Sequence, residues 1–316
     1  MSKFRNPSYF SRFTPLVMII SSLKKLGLAG QFFKFISSGL LSDEIKAKVF
    51  EGYQPAAHDV FATTYTKAGT NWSLQGIEQI AWRGEAEFDH IHSVAPWPEA
   101  PFQGIIPLSD GSRYRASPTG LRVIKSGAKA GYIPYSKKAT YISVIRDPKE
   151  VFVSSFHFIP KVFSLGGAFS VEEWLEWFLS LQFPSGSWAE HTASFWSWRN
   201  RPNVLVLFFS EIVQNPRGSI QRIADTMKVE LTEVQLDKVQ ERCSLGYMKA
   251  HEDQFCPPLL PFVPKKKRAV MIREGRTGNS GELLSPAQQE RIDQHMLAEL
   301  KRLGSDFPYA EKFMSK

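Results

Sequence analysis

The run Thr64-Tyr65-Thr66-Lys67-Ala68-Gly69-Thr70-Asn71-Trp72 sets a cation, a glycine and small hydroxyls between a β-rich segment and a helically spaced one. That composition suits an oxyanion. A strand-to-helix loop aims backbone N–H groups and the positive end of a helix at one point, while Lys67 and Thr70 add a charge and a hydroxyl. The order Gly-x-x-x-x-Gly-Lys-Ser/Thr of an ATP- or GTP-hydrolysing loop is absent, which argues against that chemistry. A second candidate is Arg146, followed eight residues later by Ser154. An arginine at a strand's end offers a planar fork for phosphate, and a serine about two helical turns on offers a hydroxyl. Asp147 competes for the same arginine in a purely structural pair. The third is Arg273-Glu274-Gly275-Arg276-Thr277-Gly278, too polar and glycine-rich for core and suited to folding over an anion. Its neighbour Lys265-Lys266-Lys267-Arg268 reads as a solvated basic stretch.

The elements that must position these groups alternate. Val60–Tyr65, Leu121–Lys125, Ala139–Ile145 and Val204–Phe209 are short β-rich runs. After the first, Trp72, Leu74, Ile77, Ile80 and Ala81 recur at helical spacing. Asp147-Pro148 forms an N-cap and first-turn pair, Ser170-Val171-Glu172-Glu173 a capping box, and Ser285-Pro286-Ala287-Gln288 opens the last helix in the same way. Strands alternating with helices predict an α/β fold, a mainly parallel central sheet flanked by helices, with a P-loop-like strand-loop-helix at Lys67. Ligands of such sheets bind beyond the carboxyl ends of the strands. No internal repeat or linker interrupts the pattern, so the reading is a single domain over 46–316 with a helical extension, 1–45, packed on it.

The whole-chain properties narrow the partner. A formal net charge of +8 over 316 residues favours anionic ligands. Two cysteines, Cys243 and Cys256, make neither a disulfide framework nor a metal-ligand pattern, and cytoplasmic residence follows as the simplest expectation. The apolar run Pro15–Ile20 is broken by serines and then by Lys24 and Lys25, so no transmembrane helix is expected. Leu16, Ile19, Ile20 and Leu23 fall on one helical face, which docks on the domain or makes weak contact with a membrane surface. Lys3, Arg5 and Arg12 precede it as in a signal peptide, but no small-residue cleavage site follows. His90 and His92 lack a third ligand, and no metal is expected.

The three motifs, in this order across about 60 to 310, resemble the soluble PAPS-dependent sulfotransferases. The resemblance implies that Lys67, Ala68, Gly69, Thr70, Asn71 and Trp72 cradle the 5′-phosphosulfate of PAPS and stack near its adenine. It implies that Arg146 and Ser154 bind the 3′-phosphate with Arg273 and Gly275, that PAP is the product, and that Lys67 and Lys125 are catalytic. The acceptor is then a small-molecule hydroxyl or amine rather than nucleic acid, and a homodimer is compatible. This chain departs from the pattern at Cys243 for threonine, Phe209 for tyrosine, Glu274 for a basic residue and Ser280 for an aromatic one. Glu274 puts a carboxylate near the phosphates unless Arg276 or Lys267 offsets it. The largest departure is Val123-Ile124-Lys125-Ser126-Gly127-Ala128, where relatives carry a histidine as general base at the position of Gly127. His157 is the first substitute, with His92 and Glu99 as weaker ones. The competing expectation is a PAPS- or PAP-binding protein without catalysis. A kinase-like nucleotide enzyme and a nucleic-acid module rank below it. Trp97, Phe156, Phe158, Phe163, Trp174 and Trp177 suit an apolar acceptor pocket or simply a core.

Overall fold

The computed structural model describes residues 19, 22–24, 26–40, 43–100, 104–163, 165–256 and 270–314. Four strands, β1 (Asp59–Thr64), β2 (Arg122–Ser126), β3 (Thr140–Ile145) and β4 (Val204–Phe208), form one sheet in the order β2-β1-β3-β4. Every pairing is parallel, and the register sets Phe61 beside Ile124 and Tyr141, and Tyr141 beside Val204. Alternation along each strand sends these residues to one face. There they pack with Phe50, Phe195 and Trp198. Val60, Ala62, Val123, Ile142, Val144 and Leu207 point to the other face. Both faces are therefore covered, as an all-parallel sheet requires.

Eight helices of eight residues or more are present among the described residues: α1 (Ala29–Leu40), α2 (Thr70–Ala81), α3 (Pro148–Val162), α4 (Val171–Phe178), α5 (Trp188–Trp196), α6 (Pro216–Thr226), α7 (Glu233–Arg242) and α8 (Pro286–Arg302). The expected caps are in place. Asp147 accepts from the Lys149 N–H, and capping boxes open α4 at Ser170 and α8 at Ser285. Leu74, Ile77 and Ile80 of α2 meet Ile220 and Ile223 of α6 on the sheet. A third cluster joins Val151 and Phe152 of α3 to Trp174 and Trp177 of α4, Trp188 of α5 and Ile292 and Met296 of α8. Ala29 and Phe33 of α1 are buried in it, and Leu23 packs against it. Ile19 is exposed; Leu16, Ile20 and Lys265–Arg268 lie outside the described residues. Among the described residues no helix is long and apolar enough to cross a membrane.

The strand bounds differ from the sequence reading by a residue at several ends. Phe209 leaves β4 to open a short helix, Phe209–Gln214. Its third residue, Glu211, accepts from the Phe208 N–H at 3.2 Å, and this local contact outcompetes strand propensity.

At the amino ends of the strands one polar network fixes the register. The buried Asp59 carboxylate accepts from Tyr53 Oη at 2.5 Å, the Ala56 N–H at 2.8 Å and Arg122 Nε at 2.9 Å. Arg122 also donates to the Leu108, Asp110 and Tyr53 oxygens. Removing one partner leaves the other charge buried and unpaired, which costs about 3–5 kcal/mol. Asp59→Ala is expected to lose that much stability in urea unfolding; a change under about 1 kcal/mol would contradict the network's role.

Candidate functional site

The carboxyl ends of the strands collect the predicted site. Past β1, the chain turns through Ala68 N–H to the Tyr65 carbonyl at 3.1 Å, with Lys67 at φ 62° and Gly69 at φ 106°. Gly69 is the N-cap of α2 and tolerates this backbone where a side chain is strained; an added Cβ also meets Phe209 at 3.1 Å. The loop thus exposes the start of α2 as a backbone donor site. Tyr65 is buried beneath it, its hydroxyl donating to the Gly186 carbonyl at 2.7 Å. The Thr64 and Thr70 hydroxyls lie 2.5 Å apart across the loop. Asn71 reaches the Phe255 carbonyl at 3.5 Å, and Trp72 is half-buried against the sheet-face core.

Arg146, at the end of β3, ties the loops together. Its guanidinium donates to the Lys67 carbonyl at 3.1 Å and, at 3.4 Å, to the Arg276 carbonyl, and lies 4.3 Å from the Phe209 ring centre. Its carboxylate partner is Glu150, at 2.9 Å, and not Asp147. Asp147 is occupied by the helix cap, with the Lys149 ammonium at 3.5 Å. Glu150 also accepts from the Gly278 N–H at 2.5 Å, so one carboxylate orients the arginine and clamps the late loop. Glu150 stands four residues after Arg146, a spacing that sequence reading passes over in favour of the adjacent Asp147. Ser154 is half-buried one helical turn beyond Glu150.

The late loop is held by carboxylates as well. Glu252 accepts from the Met271 and Ile272 N–H groups at 2.7 and 3.2 Å. Arg273 donates to both oxygens of Glu282 at 2.6 Å, and His157 Nε2 meets the same carboxylate at 2.8 Å. These bonds hold Glu282 below the usual carboxylate range. Gly275, at φ 61°, lies under Leu245: an added Cβ would be 2.8 Å from that side chain. Glu274 pairs with Arg276 at 2.8 Å, which offsets its charge.

Lys67 and Lys125 complete the cluster. Lys67 Nζ lies 3.7 Å from the Phe158 ring centre and 3.6 Å from Met271 Sδ. Lys125 Nζ lies 3.2 Å from the Trp97 ring centre. Both residues keep some solvent exposure, but their ammonium groups are enclosed. Burial, with Arg146 and Arg273 nearby, pulls Lys67 down to about 7. Burial also brings Lys125 to about 7, Glu99 opposing the shift and Lys67 adding to it. The ring contacts of Phe158 and Trp97 escape sequence reading, which weighs these aromatics only as pocket or core. Gly127 N–H donates to Glu99 at 3.1 Å. His90 and His92 serve local structure: His90 contacts the Cys256 carbonyl at 2.7 Å and accepts from the His92 N–H at 3.1 Å. Among the described residues no group of three or more His, Cys, Asp or Glu is arranged to hold a metal.

Lys67, Lys125, Arg146 and Arg273 therefore converge beyond the strand ends with the α2 N-terminus, and the donor set fits a ligand carrying more than one anionic group. Comparison with known proteins agrees with this geometry. A family model described as a sulfotransferase domain matches residues 57–304. A 3-alpha-hydroxysteroid sulfotransferase of Cavia porcellus is 28% identical over 256 residues, 80% of this chain and 87% of that protein. Sulfotransferase 1B1 of Mus musculus is 29% identical over 251 residues, 77% and 83% of the two chains. The fold is similar to that of retinol dehydratase solved with androsterone and inactive cofactor PAP. The TM-score is 0.66 at 19% identity, over 85% of this chain and 87% of that one. It is similar also to mouse sulfotransferase SULT7A1 complexed with PAP, at TM-score 0.63 and 21% identity over 83% and 90%.

The depressed lysines give a pH signature. In the free protein they shed protons as pH rises through about 7, and an anion needs them charged. Inorganic sulfate, followed by calorimetry from about pH 6 to about pH 9, is expected to lose affinity on the alkaline side and not on the acid side. Flat affinity across that range would contradict the assignment.

Proposed function

The chain belongs to the sulfotransferase family, and we propose that it uses PAPS to sulfonate a small-molecule hydroxyl or amine, releasing PAP. The observation that carries this reading is the joining of three distant segments by Arg146, through the Lys67 carbonyl, the Arg276 carbonyl and Glu150. PAPS supplies the activated sulfuryl group and two anionic ends. Lys67, the N–H groups from Gly69 to Trp72 and the Thr70 hydroxyl would hold the 5′ end, on a loop whose turn the Ala68 N–H closes. Arg146, Ser154, Arg273 and the backbone of Gly275 would hold the 3′-phosphate. Lys67 and Lys125 place positive charge where negative charge grows in sulfuryl transfer, a group transfer with demands like those of phosphoryl transfer. Phe158 and Trp97 form apolar walls beside those ammonium groups and keep water from them.

The supporting relatives act, by their names, on hydroxysteroids, and retinol dehydratase has been solved with androsterone and with retinol. An apolar acceptor with one hydroxyl is the corresponding expectation here, and Phe156, Phe158, Phe163 and Trp97 are the side chains that suit it. We assign residues 46–316 to one catalytic domain, with the preceding helices docked on it through Ala29 and Phe33. Two free cysteines go with residence in a reducing cytoplasm.

If Arg146 and Ser154 bind a 3′-phosphate, PAP must bind more tightly than adenosine 5′-monophosphate. Charge-assisted hydrogen bonds of about 1.5–3 kcal/mol correspond to roughly a 10- to 100-fold preference. Arg146→Ala is expected to erase most of it in calorimetry while the protein remains folded. Equal affinities for the two nucleotides in the parent protein would overturn the reading.

A further inference from the structure

The segment Pro96–Glu99 follows the end of β2 residue by residue. The Pro96 carbonyl accepts from the Lys125 N–H at 2.8 Å. The Trp97 ring lies under the Lys125 ammonium. Glu99 Oε1 accepts from the Ser126 hydroxyl and from the Gly127 N–H at 3.1 Å. A short turn, Ala100 N–H to the Trp97 carbonyl at 3.1 Å, fixes Trp97 and Glu99 relative to each other. The carboxylate is thereby brought to the backbone of Gly127, a residue with no side chain with which to move a proton.

The second oxygen of Glu99 has no such anchor. Glu99 is 8% exposed, and its Oε2 is buried with no hydrogen-bond partner among the described residues. An unpartnered carboxylate oxygen of this kind carries a desolvation cost, offset when a ligand donor reaches it. Gly127 itself lies beside the Lys67 loop, since an added Cβ there would approach the Thr64 carbonyl at 3.9 Å. His157 is placed differently, with Nε2 engaged by Glu282 under the late loop.

We propose that Glu99 is the general base toward the acceptor, its Oε1 held by Ser126 and Gly127 and its Oε2 receiving the acceptor's proton. The inference rests on the sulfotransferase reading above. In the step, the acceptor O–H proton passes to Glu99 Oε2 and the oxygen's electron pair forms the new O–S bond. The S–O bond to the donor's 5′-phosphate breaks, and its electron pair leaves with PAP. Proton and charge balance, and Glu99 returns its proton to solvent before the next turnover. Burial raises the Glu99 carboxyl above its ordinary range, with Ser126, Gly127 and Lys125 opposing, and makes it a stronger base than an exposed carboxylate. Lys125 is the charged side chain whose field acts on Glu99, and Lys67 acts in turn on Lys125.

Glu99→Gln keeps the size of the side chain and an oxygen for the Gly127 N–H, and removes the carboxylate charge that serves as the base. Turnover toward phenol and alcohol acceptors is expected to fall about 10²- to 10⁴-fold. PAP affinity by calorimetry and the thermal midpoint are expected to stay at parent values. Adding Gly127→His, whose Cβ has room, should then recover turnover, because histidine replaces the lost base. A Glu99→Gln protein that turns over at the parent rate would overturn the role of Glu99 alone. So would a loss of activity that tracks losses of midpoint and PAP affinity, since that marks a structural carboxylate. A parent protein that binds PAP but sulfonates nothing in a panel of phenols, alcohols and amines would instead overturn the functional reading, and the base with it.

Discussion

Like charges repel, and this fold brings four cations, Lys67, Lys125, Arg146 and Arg273, to one end of one sheet. The rest of the site is arranged around that repulsion. Arginines are held by carboxylates, Glu150 on Arg146 and Glu282 on Arg273. The two lysines have no carboxylate hydrogen bond among the described residues; aromatic faces of Phe158 and Trp97 take that place. A ring face stabilises an ammonium by less than a buried carboxylate would, and leaves it available to a stronger anion. Burial, with no carboxylate hydrogen bond to offset it, brings both lysines down to about 7. Only a parallel sheet can deliver this, because it sets the carboxyl ends of β1, β2 and β3 side by side, so that loops from distant parts of the chain meet there.

Much of this was legible from the sequence, and the boundary is physical. The Lys67 loop and the Asp147-Pro148 start of α3 are local features, in which turn, cap and helix are set by neighbours a few residues apart. The strand runs could be read because both faces of the sheet are buried and each run carries β-branched or aromatic residues. What was hidden depends on contacts between elements. Glu150 clamps Gly278 across 128 residues, and Glu99 meets Gly127 across 28. Sequence spacing could suggest that Arg146 has an acidic partner but could not choose between Asp147 and Glu150; the helix cap's claim on Asp147 decides it. Likewise Phe158 and Trp97 read as apolar residues, and their role beside cations appears only when the two lysines are placed.

The departure at Gly127 and the placement of Glu99 belong together. A histidine on the strand end would carry its own base. Glycine leaves the position to a carboxylate from the preceding loop, fixed through the glycine's own N–H. The same loop supplies the Pro96 carbonyl and the Trp97 ring to Lys125, so base and cation are set by one short segment, Pro96–Glu99. Glu274, which the sequence sets near the phosphate-binding loop, is likewise made compatible by Arg276.

The central claim is that buried, mutually repelling lysines are poised for a polyanion that restores their charge. Calorimetry of PAP binding at about pH 8, in two buffers of different ionisation heat, counts the protons that accompany binding. The account predicts net uptake of more than about one proton by the complex, as Lys67 and Lys125 regain their charge. Binding of PAP with no proton uptake would contradict it.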